Sequence, residues 1–471
     1  MTDVSEREIL TNFAAMAKKT QFGSRIGLIA ATVGSAVGLG NVWRFPAEAQ
    51  ANGGAAFLIL YIGCVFLLGV PVMLAEFSLG RGTGSDASGA FRILAPRKRW
   101  WLVGALAILA SYLILSFYMV VAGWTLEYLW QSLTGGLYEM PSGADAETVS
   151  SVFHTRMGEY VSGTWRPLSV TFLMIAANLF ILMRGVQRGI EKMSNLMMPL
   201  LFILLVVFAC VSMTLPKAVE GLSFFLSPDF TKITPTVVIN ALGQSFFSLS
   251  LGMGILITYS AYFPKDTRLV QTAVTVSLLD LVVALLMGVI IFPAVMSFGL
   301  SGESLEGATL VFVTLPEVFM HMPGTQWWSA LFFLLLMVAA LTSTISLGEV
   351  SIAYVQNHFR MSRRKACLWV MLPLLPLSSL SSLSQGVLSD VRILGMNWFD
   401  FLDNTATNIM LPVAAILTCV FLGWAVPKEY FRKEVTNGGR VGARWFPAVL
   451  FVVRFAAPVL IAMILMAKLL G

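Results

Sequence analysis

The chain reads Gly34-Ser-Ala-Val-Gly-Leu-Gly40 in its first half and Ser248-Leu-Ser-Leu-Gly-Met-Gly254 in its second, and both segments are uncharged and rich in glycine. Each lies midway along an apolar run long enough to cross a membrane. A spanning helix unwinds only where it lines a cavity or is shielded by protein, because unpaired backbone groups are costly in hydrocarbon. The ends of such half-helices carry partial charges that suit a zwitterion and cations. The paired breaks therefore predict a transporter.

Composition restricts the chain to the all-α polytopic membrane proteins. Of its 471 residues, 57% are hydrophobic and only 12% are charged, which excludes a water-soluble domain. Apolar runs of roughly 20 residues predict about eleven membrane-spanning helices. The predicted spans cover residues 25–50, 54–79, 100–130, 166–184, 193–214, 235–263, 269–299, 325–356, 366–384, 398–424 and 446–469.

Basic residues in alternate loops predict the orientation in a cell inner (plasma) membrane. The loops that we expect in the cytoplasm contain Lys18, Lys19 and Arg25, then Arg97, Lys98 and Arg99, then Arg184 and Arg188, with Lys265, Arg364 and Lys428 in the later ones. The N-terminus is then cytoplasmic and the C-terminus outside. This topology accounts for the net charge of +6, which is thus poor evidence for nucleic-acid binding. The first 24 residues lack an apolar core, so we expect no cleavable signal peptide.

Cysteine and histidine give no sign of a disulfide framework or a metal centre. The four cysteines are isolated in predicted spans, and the three histidines lie in loops or at a helix end without a ligand spacing. The spans contain no buried histidine, Cys–His pair or paired aspartates, so a membrane-embedded enzyme is disfavoured.

Charged and hydroxylated residues inside the spans are few, and such residues usually face a cavity or one another. Asp280 is the one charge between Arg268 and Glu303, about 18 Å along the helix from its predicted cytoplasmic end. Other polar residues cluster around the second break and in the span 325–356: Gln244, Ser245, Ser248, Ser250, Thr342, Ser343 and Ser346.

Each of these features also has a purely structural interpretation. Gly34 and Gly38 form a GxxxG pattern, which more often marks close helix packing than a binding site. The hydroxyls of Thr342 and Ser343 can bond back to the preceding helical turn. Tyr118 alone is more typical of packing or of a membrane interface.

Four longer motifs carry a resemblance to a known family. They are GSAVGLGNVWRFP from Gly34, NGGAAF from Asn52, GQSFFSLSLGMG from Gly243 and ALTSTIS from Ala340. The chain resembles the neurotransmitter:sodium symporter family, in particular its bacterial amino-acid transporters. The resemblance implies a five-plus-five inverted repeat with unwound first and sixth helices. It divides the chain into a cytoplasmic segment 1–24, a ten-helix core 25–424 with repeats at about 25–214 and 235–424, and a peripheral eleventh helix 446–469.

The resemblance implies two sodium sites. The first would use the Ala36 carbonyl, Asn41, Ser248 and Asp280, together with the substrate carboxylate. The second would use the carbonyls of Gly34, Val37 and Ala339 with the hydroxyls of Thr342 and Ser343. Both sets suit Na⁺, a hard cation that takes oxygen ligands.

The resemblance also implies an amino-acid pocket between the two breaks. The amides of Leu39 and Gly40 and the Tyr118 hydroxyl would hold a carboxylate, and Gly38, where monoamine relatives carry an acid, leaves room for it. Carbonyls near Ala36, Phe247 and Ser250 would hold the amine, and Ser248 would belong to the same pocket. The side-chain contacts would be Ser35, Ile114, Phe247, Met253, Ser343, Ser346 and Leu347, which favour an apolar or aromatic amino acid.

Gates are implied at both ends of this pocket. Phe247 would cover the substrate, and Arg44 would pair with Asp403 through Gln244 on the outer side. The chain offers Lys19 and Asn357 where the family usually closes the inner side with an Arg–Asp pair, so we expect closure there to depend on Phe22, Tyr262 and hydrogen bonding.

The resemblance further predicts chloride independence. The chain keeps Tyr61, Gln244 and Ser248 of the family's chloride site, but has Ala284 in place of a serine and Asp280 in place of an asparagine. A fixed carboxylate can replace the anion in balancing Na⁺. We therefore expect sodium-coupled uptake of an α-amino acid by alternating access. The alternatives are a non-transporting amino-acid sensor and a symporter for another small zwitterion.

Overall fold

A computed structural model of the chain describes residues 21–140, 146–299, 307–442 and 444–470. These residues are almost entirely helical, and their strand-like pairing is limited to an isolated bridge between Ile393 and Met396. The helices are α1 Arg25–Ala36, α2 Gly40–Ala51, α3 Ala55–Thr83, α4 Ala87–Leu94, α5 Trp101–Thr134, α6 Ala146–Ser162, α7 Trp165–Met183, α8 Val186–Ser212, α9 Ala218–Leu226, α10 Pro235–Ser248, α11 Ile255–Ala261, α12 Leu269–Phe298, α13 Gly307–Met320, α14 Thr325–Phe359, α15 Arg363–Leu383, α16 Trp398–Ala425, α17 Lys428–Val435 and α18 Phe446–Leu469.

The membrane spans agree with the sequence prediction, except that two of them each consist of two helices and not of one continuous helix. Within the described residues, 9 helices are long and apolar enough to cross a membrane, and the bent pair of α1 and α2 raises the number to 10. The span predicted at 235–263 consists of two shorter helices, α10 and α11, which do not meet that length criterion separately. The all-helical membrane fold is therefore confirmed.

The first break separates α1 from α2. Val37 leaves helical geometry with φ −74° and ψ 108°, and the axes of the two helices differ by 55°. The first turns of α2, Gly40–Arg44, are π-helical, a conformation that often occurs at functional sites. Other π-helical stretches occur in the described residues, and the longest of them, Asn404–Met410, lies in α16.

The second break covers the residues between α10 and α11. Gly252 and Gly254 have φ of +79° and +70°, and Ser250 between them and α10 has φ +53°. Glycine adopts this left-handed region without the clash that a Cβ atom introduces. The glycine pattern of the sequence thus accounts for where the backbone leaves the helix.

Long helices enclose the two broken ones. The most extensive helix pair is α5 with α14, and α1 packs against α8, α12 and α14. The α10 and α11 helices pack mainly on α3. The last helix, α18, contacts α10 and α16. This arrangement brings both breaks to one interior position between α5 and α14 on one side and α3 and α12 on the other.

Candidate functional site

A cavity of about 600 Å³ lies between the two breaks, a volume in the range of small-molecule sites. Thirteen of the fourteen residues predicted to bind the substrate line it: Ser35, Ala36, Gly38, Leu39, Gly40, Ile114, Tyr118, Phe247, Ser248, Ser250, Met253, Ser343 and Leu347. The exception is Ser346, which is buried behind the wall, where it accepts a hydrogen bond from the Tyr259 hydroxyl (2.8 Å) and donates one to the Thr342 carbonyl.

The unwound backbone of the first break faces into this cavity. The Leu39 amide donates to the Tyr118 hydroxyl at 3.2 Å, which brings together two of the groups predicted to hold a carboxylate. A Cβ atom at Gly38 would lie 2.7 Å from the Ser343 hydroxyl oxygen and 3.3 Å from that of Tyr118. Residue 38 must therefore be glycine for these hydroxyls to keep their places.

Asp280 lies at the centre of a buried polar cluster that joins both breaks. Its carboxylate accepts hydrogen bonds from the Asn41 side chain (2.7 Å), the Ser248 hydroxyl (2.7 Å) and the Tyr61 hydroxyl (3.2 Å). Ser248 also contacts the amide oxygen of Asn41 at 2.8 Å. At most 1% of each of these four residues is exposed. Ala284, one helical turn beyond Asp280, is also buried.

The charge of this cluster is suited to a cation. Among the described residues, no lysine or arginine forms an ion pair with Asp280, and its three partners are neutral. A buried carboxylate without a counter-charge is costly, and a cation beside it removes that cost. The oxygens of Asn41, Ser248 and Asp280 fit a hard monovalent ion. Transition metals are usually held by clusters of His, Cys, Asp or Glu side chains. The described ranges contain no group of three or more such residues placed to hold a metal ion.

The residues predicted for a second sodium site also lie close together. The Thr342 hydroxyl donates to the Ala339 carbonyl at 2.9 Å, and the Ser343 hydroxyl is 3.5 Å from the Val37 carbonyl. A Cβ atom at Gly34 would lie 3.2 Å from that of Thr342, so α1 and α14 approach closely here. The Thr342 bond is also the back-bonding to the preceding turn that a structural interpretation predicts.

The cavity reaches Arg44 and Asp403, a region that we call the Arg44 end. The predicted ion pair between these residues is absent from the part of the chain that the structure describes. Arg44 instead faces Glu48, one helical turn away, at 3.9 Å, and its guanidinium lies 4.6 Å from the centre of the Phe247 ring. Asp403 accepts a hydrogen bond from Thr407 at 2.8 Å. The cavity itself separates α2 from α16, which explains why the pair is not formed.

Gln244 does not bridge Arg44 and Asp403 either. Its amide nitrogen is 3.4 Å from the Gly40 carbonyl, so it contacts the first break directly.

The opposite side of the cavity, which we call the Phe22 end, is closed by packing. The Phe22 amide donates to the Tyr262 carbonyl at 3.1 Å, and its buried ring packs on Tyr259, Tyr262 and Phe263. The Tyr262 hydroxyl donates to Glu349 at 2.7 Å.

Lys19 and Asn357 occupy the positions where the family usually forms an inner ion pair. Asn357 donates to Asp86 at 2.9 Å. Lys19 lies outside the described residues.

Sequence reasoning missed several residues that line the cavity. They are Trp43, Glu48, Phe117, Val121, Trp124, Ile255, Ala308, Gln385, Phe399, Asp400, Thr407, Asn408 and Lys468. A signal existed for six of them. Phe117, Val121 and Trp124 follow Ile114 at helical spacing, and Phe399, Asp400 and Thr407 lie three or four residues from Asp403 in α16, so each set shares one helix face. No comparable pattern points to Lys468 in α18.

A cavity enclosed by two interrupted membrane helices, beside a buried carboxylate and a cluster of hydroxyls, defines a helical membrane transporter. The chain belongs to the sodium:neurotransmitter symporter family, whose profile matches residues 19–145 and 150–471. It is a sodium-dependent transporter and not an enzyme, as the sequence predicts.

Individual relatives agree with this assignment over nearly the whole chain. A sodium-dependent transporter of Bacillus subtilis, YhdH, is 36% identical over 448 residues, which is 95% of this chain and 97% of the relative. A sodium-dependent transporter of Haemophilus influenzae is 34% identical and covers 96% of this chain, with 98% of its own length matched. Neither of these transporters has been characterised. The crystal structure of MhsT in complex with L-phenylalanine matches with a TM-score of 0.85 and 40% identity, over 95% of this chain and 99% of MhsT.

Proposed function

We propose that the protein couples the uptake of an α-amino acid with an apolar or aromatic side chain to sodium ions bound at two sites. The observation that carries this proposal is the polar cluster of Asp280, Asn41 and Ser248, which joins both breaks next to a cavity large enough for an amino acid. The likeness to a transporter that binds L-phenylalanine supports the substrate class.

The substrate carboxylate would lie at the first break. The Leu39 amide and the Tyr118 hydroxyl are hydrogen-bonded to each other, and they would exchange that bond for bonds to the carboxylate. The neighbouring Gly40 amide would add a third donor. Gly38 brings no acid of its own into the pocket, so the negative charge has to come from the ligand. Ile114, Phe247, Met253 and Leu347 supply the apolar wall for the side chain.

Sodium would be co-transported at two places. The first ion would lie between Asp280, Asn41, Ser248 and the Ala36 carbonyl, next to the substrate carboxylate. The second would join α1 to α14 through the carbonyls of Gly34, Val37 and Ala339 and the hydroxyls of Thr342 and Ser343. Moving one charge through ~100 mV supplies about 2.3 kcal/mol, so two ions support roughly a thousandfold gradient of a neutral zwitterion.

Chloride would not be required. Tyr61 and Ser248 both donate to one oxygen of Asp280, so the carboxylate takes up the donors that would otherwise hold an anion.

Transport would proceed by alternating access between the two gates. The cavity is open towards Arg44 and Asp403 and is packed shut at Phe22 and Tyr262, which suits an outward-facing form. Basic loops support a cytoplasmic N-terminus and an outside C-terminus in a plasma (inner) membrane. We also propose that residues 25–214 and 235–424 form the two inverted repeats, with residues 1–24 and the helix at 446–469 outside them.

Uptake into proteoliposomes tests the proposal directly. Purified protein is given labelled L-phenylalanine, L-leucine or glycine under an inward sodium gradient, with potassium as the control, and with gluconate replacing chloride in a parallel series. We expect sodium-dependent accumulation of L-phenylalanine or L-leucine that does not change when chloride is removed. In Asp280→Asn, sodium affinity should fall and added chloride should restore part of the uptake.

Each part of the proposal has its own contrary outcome. Uptake by the parent protein that tracks chloride would contradict chloride independence. Sodium-dependent binding without accumulation would indicate a sensor, and accumulation of glycine alone would move the assignment to another small zwitterion.

A further inference from the structure

The short helix α17 contacts α3 and the connection between α11 and α12. Arg81, at the end of α3, is only 3% exposed and makes an ion pair with Glu434 of α17 at 2.9 Å. Its guanidinium also donates to the side chain of Asn437 at 2.8 Å, to the Thr267 carbonyl and to the backbone of Glu434. A single buried cation thus holds three separate parts of the chain.

Further bonds reinforce the same junction, which we call the Arg81 latch and define by Arg81, Lys265, Tyr430, Glu434 and Asn437. The Tyr430 hydroxyl donates to the Ser78 carbonyl at 2.9 Å. The Lys265 ammonium donates to the Arg81 carbonyl at 2.5 Å, and the Asn437 side chain donates to the Asp266 carbonyl at 3.1 Å. Charge-assisted bonds of this kind are about twice as strong as neutral ones.

Glycines permit this close approach. A Cβ atom at Gly82 would lie 2.0 Å from the Tyr430 hydroxyl, so α17 rests directly on α3. A Cβ atom at Gly80 would lie 1.9 Å from the Ile257 carbonyl of α11. Gly80 and Gly82 lie on opposite faces of the last turn of α3, which therefore contacts both α17 and the second half of the broken helix.

The residues between α11 and α12 are held from two sides. Tyr262 is bonded to Phe22 and Glu349 at the Phe22 end, whereas Lys265, Asp266 and Thr267 are bonded to the latch. Because only two residues separate Tyr262 from Lys265, an intact latch limits how far Tyr262 can move from its position beside Phe22.

We propose that Arg81 and Glu434 are positioning residues for the gate at the Phe22 end, and that this gate opens only as α17 releases α3 and the 262–268 connection. The proposal rests on the proposed function only in treating Phe22 and Tyr262 as a gate. According to this proposal, the helix α17, which lies between the last two spans, controls the opening of a gate formed by the first and sixth predicted spans.

Amide hydrogen exchange of the full chain in lipid nanodiscs tests the latch, with mass spectrometry as the readout. Glu434→Gln removes the charge and keeps the size of the side chain. We expect exchange to rise roughly tenfold in peptides covering 21–30 and 255–268. Arg432→Gln is the matched control, since Arg432 is an exposed cation of the same helix, and it should leave those peptides unchanged. Tyr430→Phe removes one hydrogen bond of the latch and should give a smaller rise in amide exchange in the same peptides. This variant tests the latch if Glu434→Gln does not fold.

The uptake assay gives a second readout that a merely structural anchor would not move. If Glu434→Gln populates the form open at the Phe22 end, the apparent KM for amino acid offered from the Arg44 end rises, because fewer molecules are competent to bind it. A rise in exchange confined to 428–442, or equal effects of Glu434→Gln and Arg432→Gln, would overturn the proposal. The exchange comparison keeps its meaning even if the parent protein transports no amino acid.

Discussion

At the scale of single residues, the site depends on groups whose position is fixed by closely packed neighbours. Gly38 lies between the Ser343 and Tyr118 hydroxyls, both of which are proposed to contact sodium or substrate. Asp280 is held by three donors from three helices, α2, α3 and α10. Such residues cannot be exchanged for slightly larger or less polar ones without moving a neighbour in a closely packed interior.

Gly38→Ala should weaken substrate binding without unfolding the protein. The new methyl group would lie 2.7 Å from the Ser343 hydroxyl, closer than van der Waals contact, so Ser343 or the first break has to shift. Overpacking of this kind costs about 1–3 kcal/mol, and we expect at least roughly tenfold weaker binding of L-phenylalanine in sodium. Gly63→Ala, where no atom lies within 4 Å of the added Cβ, is the control for equilibrium binding. Unchanged affinity in Gly38→Ala would show that the carboxylate lies elsewhere.

At the scale of elements, the two breaks have different causes. The first follows from an extended residue, Val37, between two helices that cross at 55°. The second contains three left-handed residues, Ser250, Gly252 and Gly254, and the Gly252 amide donates to the buried Glu76 at 2.7 Å. The second break therefore depends more strongly on glycine than the first.

Gly252→Ala should destabilise the protein more than Gly254→Ala. A left-handed alanine costs about 1–2 kcal/mol at either position. At Gly252 the Cβ atom would in addition lie 2.6 Å from the Leu411 carbonyl, whereas at Gly254 the nearest atom is 3.1 Å away. The melting temperature in detergent should be lower for Gly252→Ala than for Gly254→Ala, and lower for both than for the control Gly158→Ala. Gly158 lies in a helix, and a Cβ atom added there has no other atom within 4 Å. Equal melting temperatures for all three would mean that the break is not held in this conformation.

Much of this arrangement could be predicted from the sequence because glycine, charge and apolar length act locally. The motifs at Gly34 and Gly243 located both breaks, and the isolated charge of Asp280 located the polar cluster. The Arg44–Asp403 pair is not formed in this structure and stays a prediction, since whether two helices close across a cavity depends on the conformation and not on residue type. The role of Lys468 in lining the cavity depends on how distant spans pack, which no local pattern encodes.

At the scale of the whole molecule, ion and amino acid binding should be coupled, because the proposed substrate carboxylate and Asp280 would share the first sodium ion. Each ligand then neutralises a charge that the other leaves exposed in a low-dielectric interior. Thermodynamic linkage requires that sodium strengthen amino-acid binding by the same factor as the amino acid strengthens sodium binding. A transporter with this linkage carries its ligands together, and a protein with two independent sites does not.

The coupling can be measured as a melting temperature without any transport. A ligand at 100 times its Kd stabilises the folded state by about 2.7 kcal/mol, so both ligands give readable shifts. We expect L-phenylalanine to raise the melting temperature markedly in sodium chloride and little in potassium chloride of equal ionic strength. The shift produced by sodium and L-phenylalanine together should then exceed the sum of the shifts that each produces alone. Asp280→Asn should lose this excess. Asp403→Asn should keep it, because Asp403 lines the same cavity and is bonded to Thr407 but is not among the residues proposed to hold the ion. Additive shifts in the parent protein would mean that the two ligands do not share an ion, and the first sodium site would have to be placed away from the substrate.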